Sequence, residues 1–121
     1  FGNVLSLSGS YWWAPKGEEA SWLTRQYQHS PRYPVRFWLQ AGRFETRGSD
    51  GGIYANTLEF GRVLSEKGYK VSFHPSSSGH DYVAWCEGLI NGMRDLSGLA
   101  LKREPATPDP AQRQILDGAQ R

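Results

Sequence analysis

Ser78, Gly79, His80, Asp81 and Tyr82 set one histidine in a small-residue loop, between a strand-like run and an amphipathic helix. A histidine delivered this way is well placed to move protons. A neutral imidazole can take a proton from a serine hydroxyl and then hold the positive charge. It does so efficiently when a carboxylate on its other nitrogen fixes the tautomer and stabilises the imidazolium. Carboxylates occur upstream at Glu45 and Asp50, in a loop that runs from Gly42 to Gly52. The bland alternatives are a histidine that only begins a helix and carboxylates that lie on the surface or favour a helix N-terminus. The strained nucleophile motif Gly-x-Ser-x-Gly occurs nowhere in the 121 residues. The chain therefore reads as the C-terminal part of an enzyme whose nucleophile lies upstream, and as inactive by itself.

The other reactive side chains carry weaker signals. His74 falls on the wetter face of an alternating strand and His29 in a proline-bounded linker, and neither has a partner at metal-ligand spacing. No structural metal and no cofactor is expected. Cys86 is the single cysteine, which excludes an internal disulfide, and its place on an apolar helical stripe predicts a buried, inert thiol. Tyr11, Trp12 and Trp13 form an aromatic loop that either touches a ligand or anchors the core.

Composition narrows the partners. Fourteen Lys and Arg are scattered among twelve acidic residues for a net charge of +2, with no basic stripe, so nucleic acid is an unlikely partner. No apolar run reaches the roughly 18 residues that cross a bilayer, so no membrane span is expected. Oligomeric state has no sequence signature.

These groups need elements to position them. Val4 to Ser8 reads as a buried strand that ends at Ser8, Gly9 and Ser10. Residues 15–33 connect, with a short helix around Glu18 to Tyr27 anchored by Trp22 and Leu23. Val35 to Ala41, between Pro34 and Gly42, is a strand. From Ile53 to Lys67, Tyr54, Leu58, Gly61 and Leu64, widened by Phe60 and Val63, form a helical stripe that Gly68 ends. Tyr69, Val71 and Phe73 alternate with Lys70, Ser72 and His74 as a strand. Asp81 then caps a helix whose apolar stripe, Tyr82, Cys86, Leu89, Ile90 and Met93, should bury against a sheet. A helical crossover between strands implies parallel pairing and an α/β fold, a mostly parallel sheet flanked by helices. Residues 1–101 form that unit. Residues 102–121, with three prolines and only Ile115 and Leu116 as large apolar residues, read as a disordered tail. With so few strands, the isolated chain is expected to expose apolar sheet edges and fold poorly.

Three segments resemble enterochelin esterases, α/β-hydrolases of the esterase D-like group. Leu5 to Trp13 is similar to the strand that follows their nucleophile. Arg36 to Glu45 resembles their acid-bearing strand, and Gly79, His80, Asp81 and Tyr82 with Trp85 resemble their histidine loop. The acid-before-histidine order also agrees with α/β-hydrolases. The resemblance implies the C-terminal portion of an α/β-hydrolase fold in a cytoplasmic serine esterase. That enzyme would cleave a catecholate siderophore or its ferric complex for iron acquisition. It further implies His80 as general base and Glu45 as the acid that orients it, with Asp50 as the fallback. A large aromatic anion would suit stacking on Tyr11, Trp12 and Trp13 and a charge contact from Arg43 or Arg47. Feruloyl esterases, acyl-glutathione thioesterases and mycolyl transferases belong to the same broad group and are alternatives. A non-catalytic α/β binding domain is the alternative of a different class.

Overall fold

A computed structural model describes residues 2–48, 50–98 and 110–118. The element order is β1 (Asn3–Leu7), α1 (Trp22–His29), β2 (Arg36–Gly42), α2 (Gly52–Glu66), β3 (Lys70–Ser76), α3 (Tyr82–Ser97) and α4 (Pro110–Gly118). The three strands form a parallel sheet in the order β1-β2-β3, with Val4 opposite Phe37 and Phe37 opposite Val71. Helices cover both faces, α2 packing on β2 and β3 from one side and α3 on β1 and β2 from the other. That is an α/β architecture, as the strand and helix periodicities predicted.

The alternation of β2 divides the interior. Phe37, Leu39 and Ala41 point into the core beneath α2, with Phe60, Leu64, Tyr69 and Phe73. Tyr27, Phe37, Phe60 and Tyr69 meet edge to face with centroids 5.3 to 6.0 Å apart, the arrangement that ring quadrupoles favour. Trp38 and Gln40 point the other way, toward α3. Trp38 stacks on His74 at 4.3 Å and its Nε1 donates to Asp95 on α3.

Several expectations are corrected. The first helix lies at Trp22–His29, and it packs through Thr24 and Tyr27 while Leu23 is exposed. On α3 the expected apolar stripe faces away from the sheet: Tyr82, Leu89, Ile90 and Met93 are exposed, and so is Cys86. The face against the sheet is Ala84, Gly88 and Gly92. Close approach is the reason. A Cβ on Gly92 would come within 2.5 Å of Leu5 Cδ1 and 3.0 Å of Trp38 Cδ2, so the large side chains of the sheet require small ones on the helix. His74, expected on a wetter face, is half-buried under this layer. Burial pushes its imidazole below the usual range, which the Asp95 carboxylate partly offsets.

The expected tail is also corrected where it is described. Pro110–Gly118 is a helix that packs on α2, and Ile115 is fully buried. Gly61 on α2 leaves the slot, since a Cβ there would sit 2.9 Å from Ile115 Cδ1. The remainder of 102–121, and the unit boundary at 101, lie outside the described residues.

Candidate active site

The carboxyl ends of β1, β2 and β3 bring together residues that are far apart in sequence, as parallel sheets do. Glu45 follows β2 in a tight turn, its amide donating to the Gly42 carbonyl at 3.0 Å. His80 follows β3, just before the helix that Asp81 caps through Ala84 N at 3.0 Å. Backbone bonds join the two loops: Arg43 N donates to Ser76 O and Phe44 N to Ser78 O. Gly42 permits that closeness. A Cβ there would collide with Ser78 O and lie 2.9 Å from Gly79 O.

His80 Nδ1 and Glu45 Oε1 are 2.6 Å apart. The carboxylate side chain is 1% exposed and the imidazole 57%. A buried carboxylate must be hydrogen-bonded to offset its desolvation, and Glu45 is. Its Oε2 accepts from Gly42 N at 2.6 Å and from Ser8 Oγ at 2.8 Å. With Nδ1 on the carboxylate, Nε2 is the nitrogen left to exchange a proton. A cavity of about 380 Å³ opens beside the pair, lined by Phe44, Glu45, Arg47, Ile53, Gly79 and His80.

The other expected site residues fall in different places. Asp50 is engaged at the start of α2, where its carboxylate accepts from Asn56 Nδ2 at 2.8 Å and Gly52 N at 3.2 Å. Those bonds hold it below the usual carboxylate range. Tyr11 is a core anchor rather than a ligand contact: it is buried, stacked on Phe60 at 4.2 Å, and its hydroxyl donates to Ser6 Oγ. Burial raises its phenol pKa, an effect the Ser6 bond moderates. Trp12 and Trp13 are about half exposed, and Arg43 is exposed, but none of the three lines the cavity.

Sequence reasoning missed Phe44 as a lining residue and missed the roles of Ser8 and Gly42 around Glu45. Their only signal was position, since each ends a strand or follows one. Among the described residues, no group of three or more His, Cys, Asp or Glu is placed to hold a metal ion, and no helix is long and apolar enough to cross a membrane.

No known family profile and no solved structure matches the chain. One curated protein that it resembles is the iron(III) salmochelin esterase of Escherichia coli O6:H1 (strain CFT073), 29% identical over 107 residues. The match covers 81% of this chain and 25% of that protein. The chain thus spans about a quarter of the length of the curated relative it matches.

Proposed function

We propose that this chain carries the acid and histidine of a serine ester hydrolase, acting on ester bonds of a catecholate siderophore or its ferric complex. One observation carries the reading: a solvent-facing imidazole held at 2.6 Å by a buried, fully hydrogen-bonded carboxylate, at the carboxyl end of a parallel sheet. The relationship to a siderophore esterase supports the substrate class. Within this reading His80 Nε2 takes the proton of an attacking serine hydroxyl as the hydroxyl oxygen bonds to the ester carbonyl carbon. The imidazolium, stabilised by Glu45, then returns the proton to the departing alkoxide. Water, deprotonated by the same histidine, releases the acyl group from the serine. The serine and the oxyanion donors come from sequence outside these 121 residues.

The cavity chemistry suits such a substrate. Phe44 and Ile53 offer apolar surface and Arg47 a cation, a pairing that fits an aromatic, anionic acyl group. Trp12 and Trp13 are outer contacts in this reading and Arg43 a further cation. In this reading the cleaved ligand gives up its iron inside the cell, and the protein works in the cytoplasm.

The test is hydrolysis of a cyclic triscatecholate trilactone, with and without iron, by the full-length polypeptide that carries this chain. His80→Ala and Glu45→Gln each lower kcat by about 10⁴-fold or more, while the 121-residue chain alone turns over nothing. Undiminished hydrolysis in His80→Ala removes His80 from the catalytic machinery, and no hydrolysis by the parent polypeptide ends the esterase reading and leaves the binding-domain alternative.

A further inference from the structure

Trp85 and Ser8 are 77 residues apart, yet Trp85 Nε1 donates to Ser8 Oγ at 2.9 Å. Ser8 Oγ in turn donates to Glu45 Oε2 at 2.8 Å. We propose that Ser8 and Trp85 are positioning residues, a one-way hydrogen-bond relay that holds Glu45 in the orientation His80 needs. The inference rests on reading Glu45 and His80 as the catalytic pair.

Direction is the first argument. A serine hydroxyl has one hydrogen to give and two lone pairs, and by itself it rotates to suit its surroundings; an indole N–H can only donate. Once Trp85 occupies a lone pair of Ser8 Oγ, the hydroxyl hydrogen is committed to Glu45 Oε2. That oxygen also accepts from Gly42 N, so its two in-plane positions are filled. Oε1 is left for His80 Nδ1, and Nε2 keeps the lone pair that a general base requires.

Backbone conformation is the second. Ser8 has φ of 50°, one of two non-glycine residues with positive φ among the described residues. A side chain in that region costs about 1–2 kcal/mol relative to the right-handed region. Glycine would meet the backbone demand without that cost but lacks the hydroxyl. The hydroxyl is therefore what a serine adds at this position.

Contact with the imidazole is the third. The Trp85 ring meets the His80 ring edge to face, 4.6 Å between centroids at 87°. Trp85 therefore touches His80 directly and reaches Glu45 through Ser8, so it restrains both members of the pair.

Two conservative variants of the full-length polypeptide separate this role from a structural one. Ser8→Gly removes the hydroxyl and relieves the backbone, a gain that offsets part of the two lost hydrogen bonds, so it still unfolds cooperatively in urea. Trp85→Phe keeps an aromatic edge against His80 and loses only the N–H donor. Each variant lowers kcat for the trilactone by about tenfold to a hundredfold, the scale of a mispositioned catalytic group, with KM unchanged. In ¹⁵N-histidine spectra each shifts His80 from the Nδ1–H toward the Nε2–H tautomer. Unchanged kcat and tautomer in both variants overturn the relay. Should His80→Ala leave hydrolysis intact, the catalytic role of His80 fails by itself; the tautomer shift in Ser8→Gly still decides whether the relay orients His80.

Discussion

At the residue scale the structure gives two histidines opposite surroundings. His80 is half-exposed with a carboxylate on Nδ1. His74 is half-buried against Trp38, and its Nε2 is buried with no hydrogen-bond partner. Burial penalises His74 for taking a proton. Because its folded-state pKa lies below the ordinary value, the unfolded chain binds a proton near pH 6.5 that the folded chain refuses. The chain loses nothing at this site above that pH, loses stability as pH falls through it, and stops losing once the folded form also protonates. The urea midpoint is therefore expected to be lower at pH 5.5 than at pH 7.5, and His74→Phe, which keeps the stacking on Trp38, should flatten that difference. A midpoint that rises on acidification in the parent and not in His74→Phe would reverse the assignment. Sequence periodicity could not reveal this, because a period of two marks a second face without saying what covers it.

At the element scale α3 is the instructive case. Its helical period, its Asp81 cap and its place after the histidine loop were legible, since these follow from local chemistry. Which face it buries was not. An apolar stripe is normally turned inward because burying large side chains is favourable. Here Leu5, Leu7 and Trp38 already fill the space above the sheet, and only Gly88 and Gly92 let the helix approach. Gly92→Val is expected to destabilise the fold by about 1–3 kcal/mol, the usual cost of overpacking. The double variant Leu89→Gln with Met93→Gln, on the outer face, should change stability by no more than about 0.5 kcal/mol. Urea unfolding of both variants checks this, and the opposite ranking would show that the stripe faces inward.

At the scale of the whole molecule, α4 joins the core through Ala111 and Ile115. Ile115 is fully buried beside Gly61 and belongs to the same cluster as Phe37, Phe60 and Leu64. Ile115→Ala should cost about 2–5 kcal/mol and lower the urea midpoint; an unchanged midpoint would mean that Ile115 contributes nothing to the core. The sequence signal was faint, Ile115 and Leu116 as the only large apolar residues among three prolines and small polar residues. What the sequence by itself determined was the order and type of β1, β2, α2, β3 and α3, their parallel pairing, and a histidine and an acid in adjacent loops. Alternation, capping and the strand-helix-strand crossover are encoded over short stretches of chain. Only the tertiary structure decided that Glu45 and not Asp50 meets His80, that Tyr11 belongs to the core, and that Ser8 and Trp85, 77 residues apart, converge on one carboxylate. Those outcomes depend on which loops and faces the packed sheet brings within hydrogen-bonding distance, and no local pattern of residues carries that information.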